Sequence, residues 1–143
     1  MDYPTSFQTT DAIIRNSQVN KFLLGKKETG NWRFIGGFVD PKDASLEDAS
    51  YRERVEETGK NLECAKPEYL FSFRVDDPRY RKTEHKILTA VFLHEYIYGF
   101  PEAGDDIKEV EWFAPFYIRA NYKEIIVEEH WPIVEKLIEL RIL

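Results

Sequence analysis

Along most of the chain, apolar positions alternate with polar ones or gather in short runs, the spacing of strands rather than helices. Asp11 to Ile14 and Lys21 to Leu24 read as two strands joined by a polar turn at Asn16, Ser17 and Gln18. Trp32 to Ile35 reads as a third strand ending at Gly36 and Gly37, and Phe38 to Ala44, with Pro41 inside it, as a loop. Phe71, Phe73 and Val75 alternate as in a half-buried strand. Ile87 to Tyr98 is β-branched and aromatic, the strongest strand signal in the chain. Asp76 to Arg81 and Pro101 to Asp106 read as loops, and Val110 to Phe113 as a short last strand.

Two segments carry helical spacing. Ser45 has the chemistry of an N-cap, with Asp48 three residues on as its capping-box partner. Leu46, Ala49 and Ser50 then share a face, and Gly59 with Lys60 beyond it supplies a stop. The second helix begins near His130, Trp131 and Pro132, with proline early, where it is tolerated. Its apolar face comprises Ile133, Val134, Leu137, Ile138 and the Arg141–Ile142 pair. Mixed strands with one central and one terminal helix predict an α/β or α+β fold.

A length of 143 residues suits one domain, 1–143, without repeat or linker. Hydrophobic residues at 43% suffice for one core, and the 32% of charged residues lie among apolar segments, which argues against disorder. The net charge of −6 argues against nucleic acid as the partner, since phosphate-backbone binding needs a basic footprint. A small phosphorylated ligand stays open, because a divalent metal can bridge acidic side chains to phosphate. Cys64 is the single cysteine, which excludes an internal disulfide and a cysteine metal cluster. The Met1 to Pro4 start is unlike a signal peptide, and no apolar run reaches membrane-spanning length. A soluble, cytoplasmic protein without a membrane partner is expected.

The central helix carries the feature that needs a chemical explanation. Glu53, Glu56 and Glu57 stand at i, i+3 and i+4, so their carboxylates share one helix face. They crowd the carboxyl-terminal half, where the macrodipole disfavours negative charge. Each like-charge pair costs roughly 0.2–0.5 kcal/mol, only partly offset by Arg52 four residues before Glu56. Taken alone, a Glu-rich helix reads as a solvated acidic face. The Gly36–Gly37 pair just upstream changes that, because it lets backbone approach the same point closely. Clustered carboxylates are hard oxygen ligands for Mg²⁺ or Mn²⁺, and the chemistry they suit is metal-assisted displacement at phosphorus.

The stretch from Gly37 to Gly59 resembles the Nudix box, G-x5-E-x7-R-E-U-x-E-E-x-G-U, in which U is apolar. Arg52, Glu53, Glu56, Glu57 and Gly59 match its second half in type and spacing. Asp43 stands at its first glutamate, with one residue inserted between it and Arg52. Arg54 and Lys60 occupy the two apolar positions. The resemblance implies an α/β/α sandwich around a mixed sheet. It also implies a metal site of Glu53, Glu56 and Glu57, which the Gly37 carbonyl could complete, and an Arg52 that orients a glutamate. A homodimer is implied in the same way.

Within the family the chain is most similar to ADP-ribose pyrophosphatases. The residues that carry this are the Thr9 to Ile14 start, the Gly36 to Pro41 loop, the Asp77-Pro-Arg run with Arg81, and Gly104 to Asp106 before Val110 to Trp112. The implied reaction is Mg²⁺-dependent cleavage of ADP-ribose to AMP and ribose 5-phosphate. Dinucleoside polyphosphates, NADH and (d)NTPs remain alternative substrates, and a non-catalytic nucleotide-sugar sensor is a rival class. Arg79 and Arg81 are candidate phosphate ligands or a solvated basic loop. Asp105 and Asp106 are candidates for general base or metal ligand, against a solvated turn, with Glu102 as competitor. Trp32 either stacks on adenine or belongs to the core. His85, His94 and His130 read as structural, and Cys64 as an ordinary buried thiol.

Overall fold

In the computed structural model, residue 3 and residues 5–143 are described; Met1, Asp2 and Pro4, on which the reading of the amino terminus rests, lie outside them. Strand β1 (Ser6–Asn16) is the centre of a mixed, eight-stranded sheet. It pairs antiparallel with β2 (Lys21–Lys27) and β4 (Ile35–Phe38), and parallel with the long β7 (Lys86–Gly99). β2 also carries β3 (Trp32–Arg33) and β8 (Ile107–Phe113), while β7 carries β5 (Leu62–Cys64) and β6 (Glu68–Val75). Helices α1 (Leu46–Thr58), α2 (Pro115–Ile125) and α3 (Trp131–Glu139) complete the fold.

Strand alternation divides the core in two. Ile13, Phe22, Leu24 and Phe34 point to one face, where they meet Ile118 of α2 and Ile133, Val134 and Leu137 of α3. Their sequence neighbours Ala12, Ile14, Leu23 and Ile35 point to the other, with Leu62 and Ile107. α1 covers that second face, and does so with a polar surface. Its buried residues are Ala49, Ser50, Glu53, Arg54, Glu57 and Thr58, whereas Leu46, expected to pack, is exposed.

Several expectations are corrected. Gly36 and Gly37 do not end a strand; they lie inside β4, paired with Asp11 and Thr10. A Cβ on Gly36 would collide with the Thr10 carbonyl, so the pairing requires glycine. The last helix stops at Glu139, after which Arg141 adopts φ +60°, and the Ile142 and Leu143 amides both donate to the Leu137 carbonyl. β5 was not anticipated because three residues leave no period. α2 was missed because Ala114 offers no capping side chain, and Phe116 and Tyr117 on its exposed face mask the buried Ile118.

Candidate active site

α1 starts as expected, with the Ser45 hydroxyl accepting from the Asp48 amide at 3.0 Å. That cap is worth about 1 kcal/mol. At its far end the loop after β7 supplies what the helix lacks. The Glu102 amide donates to the Thr58 carbonyl at 2.8 Å and the Gly104 amide to the Glu57 carbonyl at 3.1 Å. Carbonyls that a helix end leaves without partners are thereby satisfied. A Cβ on Gly104 would stand 2.6 Å from the Glu56 carbonyl oxygen, so only glycine lets the loop approach this closely. The same contact delivers Asp105 and Asp106 to the glutamates.

These residues meet in a cleft of about 380 Å³. Glu53, Glu57, Gly37, Asp105 and Asp106 line one part of it. Gly37 is the floor under Glu53: a Cβ there would lie 2.7 Å from the nearer Glu53 oxygen. The Gly36 amide donates to Glu57 Oε1 at 2.9 Å. Burial raises the Glu53 carboxyl and pushes Glu57 up to about 8, with the neighbouring acids adding to both and the Gly36 amide pulling Glu57 partly back.

Glu56 separates from the other two. It is exposed, lies outside the cleft lining, and accepts from Arg52 Nη1 at 3.1 Å. Arg52 is the hub of this end: Nη1 also reaches Glu53 at 3.1 Å, Nη2 donates to the Phe38 carbonyl at 3.1 Å, and Nε and Nη2 each bond Asp43 at 2.9 Å. Asp43, standing at the box's first glutamate, is thus held by Arg52 despite the inserted residue, and this bond keeps its carboxyl below the usual range. The same contacts raise Arg52 further above its ordinary value.

Arg54, at an apolar position of the box, is buried, with no carboxylate partner among the described residues. Its Nε donates to His94 Nδ1 at 3.2 Å and its Nη1 to the Leu62 carbonyl at 2.8 Å, and the guanidinium lies 5.2 Å from the Tyr51 ring centre. Burial, then the Arg54 charge, depresses His94 to about 3, and its Nε2 sits 2.7 Å from the Ser50 hydroxyl. His94 is structural, as expected. Cys64 is half-buried, its thiol pushed up to about 11 by burial.

The other candidates divide. Arg79 lines the cleft but is held by Asp77, with Nη2 to Oδ2 at 2.7 Å. Arg81 lies outside that lining, bonded to Asp76 at 2.9 Å. Glu102 is exposed and also outside it. Trp32 does not reach the cleft; it packs edge-on against Phe113, ring centres 5.0 Å apart, on the α2–α3 face. Because neighbouring strand residues face opposite ways, its successor Arg33 enters the cleft instead.

The sequence does not single out Arg33 and gives His130 as structural, yet both line the cleft. Arg33 could have been found by counting back in twos from Gly37, which the box had already set beside the glutamates. The Phe34 amide donates to His130 Nδ1 at 3.1 Å, so Nε2 carries a proton and faces Asp11 Oδ1 at 3.3 Å. Thr89 donates to the other Asp11 oxygen at 2.6 Å. Burial alone would raise Asp11; the His130 and Thr89 contacts outweigh it and leave the carboxyl below its usual range.

The NUDIX domain family model matches residues 6–137. This chain belongs to the Nudix family. An ADP-ribose pyrophosphatase of Methanocaldococcus jannaschii is 35% identical over 107 residues, covering 72% of this chain and 59% of that protein. Among solved structures, a MutT/nudix family protein from Enterococcus faecalis is 32% identical with a TM-score of 0.61, covering 79% of this chain and 45% of that one. A MutT protein from Methanosarcina mazei shares the fold at 23% identity with a TM-score of 0.76, covering 99% of both chains. This Nudix chain therefore spans about half the length of the first two relatives it matches. Its mixed α+β architecture is the Nudix fold, and among the described residues no helix is long and apolar enough to cross a membrane.

A divalent ion fits the residues present. Among the described residues no three acidic, histidine or cysteine side chains form a ready-made cage. Mg²⁺ does not require one, since it keeps several waters and is held by one or two carboxylates together with substrate phosphate. Two desolvated glutamates against the Gly37 backbone, one of them pushed up to about 8 by burial, match that requirement.

Proposed function

We propose that this chain is a Mg²⁺-dependent pyrophosphohydrolase that cleaves ADP-ribose to AMP and ribose 5-phosphate. The observation that carries this reading is the convergence of Glu53 and Glu57 with the Gly37 backbone, Asp105 and Asp106 in one cleft. The substrate assignment is supported by the archaeal relative, whose name is ADP-ribose pyrophosphatase.

Glu53, Glu57 and the Gly37 carbonyl would hold the ion, with Glu56 kept at the rim by Arg52. Bound there, Mg²⁺ lowers the pKa of water and neutralises phosphate charge. Arg52 fixes Glu53 through a fork that Asp43 anchors, so the carboxylate is oriented before substrate arrives. Asp105, whose charge bears on both Glu53 and Glu57, would be the loop acid that takes the proton of the attacking water. The water oxygen joins one phosphorus, the bridging P–O bond breaks, and the leaving phosphate departs with the bridging oxygen.

The test is purified protein with ADP-ribose and MgCl₂, followed by chromatography for both products. Release of AMP and ribose 5-phosphate in equal amounts, stopped by EDTA, is the expected result. Folded protein that releases neither overturns the substrate assignment, and dinucleoside polyphosphates are assayed next.

A further inference from the structure

The cleft carries positive charge as well as negative, and the cations differ in what already holds them. Arg79 is gripped by both oxygens of Asp77 through Nε and Nη2. Lys26, outside the cleft lining, is bridged to Glu109 at 2.9 Å and lies over the Trp32 ring. Arg33 is another case. It is half-buried, lines the cleft, and its side chain has no hydrogen bond or ion pair among the described residues. Its charge is felt by Asp11 and Glu57, whose carboxyls are governed first by burial, and by Asp77, governed first by its bond to Arg79. The guanidinium therefore lies among acids from three elements without being bonded to any. Lys27, at the end of β2, lines the same cleft, is exposed, and likewise has no ion pair among the described residues.

A guanidinium has five donors and no acceptor, and half-burial without partners leaves those donors in need of oxygen atoms. Arg33 shares its strand face with Ile35 and Gly37, and Gly37 abuts Glu53. Four residues of extended chain put Arg33 roughly 13 Å from Gly37 at the backbone. Both ends line the same cleft of about 380 Å³.

We propose that Arg33 is the anion anchor of this cleft, binding phosphate oxygens of a nucleoside diphosphate directly and without a metal, with Lys27 adding a second charge at the rim. The proposal rests on the reading of the cleft as a pyrophosphohydrolase site. It adds to that reading the side chain that holds the phosphate on the β2–β3 side of the cleft, away from the glutamates. A forked arginine is suited to this task in a way a point charge is not.

The experiment is calorimetric titration of the full chain in EDTA with ADP, AMP and adenosine, for wild type, Arg33→Gln and Arg33→Lys. Wild type should bind ADP more tightly than AMP and AMP more tightly than adenosine, with ADP affinity falling as salt rises. Arg33→Gln should weaken ADP by about 10- to 100-fold and leave adenosine unchanged, and Arg33→Lys should recover part of the loss. Absence of ADP binding to wild type in EDTA overturns the proposal. So does equal ADP affinity in Arg33→Gln, or equal loss of ADP and adenosine. Should Arg33→Gln fail to fold, Arg33→Lys with Lys27→Ala decides, because both anchors then predict weaker ADP and unchanged adenosine. If wild type fails to hydrolyse ADP-ribose while its ADP binding depends on Arg33, the reaction is wrong and the anchor stands. If ADP-ribose is hydrolysed and Arg33→Gln keeps both Kd and KM, the anchor is wrong and the reaction stands.

Discussion

Glu57 in the metal-free protein is an acid under strain, and replacing it with glutamine should stabilise the fold while removing the function. The folded carboxyl sits at about 8 because burial penalises its charge, against an ordinary value of 4.5. A raised folded value means the native state keeps a proton that the unfolded chain gives up. The stability is therefore complete below pH 4.5 and is lost as pH rises through about 8. At pH 7 the difference spans two and a half pH units, or about 3 kcal/mol as a ceiling. Glutamine has no proton to lose, and its side-chain oxygen can still accept from the Gly36 amide. Glu57→Gln in EDTA at pH 7 should therefore melt higher than wild type, by roughly 3 °C for each kcal/mol recovered. The gap should close as pH approaches 4.5 and reverse in saturating Mg²⁺, where the carboxylate gains an ion that the amide cannot bind. Differential scanning calorimetry at several pH values, with and without metal, reads all three effects. A variant no more stable than wild type in EDTA, or a gap indifferent to pH, would refute the assignment of Glu57 as a desolvated acid awaiting a cation.

Arg52→Lys should lower kcat/KM about 10- to 100-fold in Mg²⁺ while the protein stays folded, because one ammonium cannot span Asp43, Glu53, Glu56 and the Phe38 carbonyl at once; a change within twofold would remove Arg52 from the site's support. The two adjacent glycines should behave oppositely. Gly37→Ala meets only the end of the Glu53 side chain, so activity should fall with little change in melting temperature, whereas Gly36→Ala drives into the Thr10 carbonyl and should destabilise by several kcal/mol in urea titration. His94 is held at about 3 in the fold, below its ordinary 6.5, so its stability contribution is present above pH 6.5 and lost on acidification. Wild type should lose about 1.4 kcal/mol per pH unit through this group from pH 6.5 downward, and His94→Gln should flatten that limb in denaturant titrations at pH 7, 6 and 5.

The reading of the sequence was strongest where local spacing decides structure. Ser45 at the helix start, Gly59 at its end and the register of Arg52 with Glu53, Glu56 and Glu57 follow from helical geometry and cap chemistry, which act over a few residues. The alternation of Phe71, Phe73 and Val75 in β6 and the β-branched, aromatic run of β7 are legible for the same reason. Which carboxylates enter the cleft was not legible. The i, i+3, i+4 spacing puts three glutamates on one face, but a cleft is narrower than a helix face. Only the docking of α1 against β4 buries Glu53 and Glu57 and leaves Glu56 to Arg52.

Tertiary pairing also decided the identity of the cations. Trp32 and Arg33 are neighbours in sequence, yet the strand sends one to the α2–α3 core and the other to the cleft. Arg79, Arg81 and Arg33 carry the same charge in the sequence; among the described residues the fold gives the first two acidic partners and the third none. Asp11 and His130, 3.3 Å apart in space, stand at opposite ends of the chain, and no periodicity could join them. The sequence by itself determined the carboxylate helix, the glycine pair and the family to which they belong, because those depend on near neighbours. The tertiary structure alone decided which charges meet, which are neutralised and which remain free, because burial and pairing are properties of contacts between distant segments.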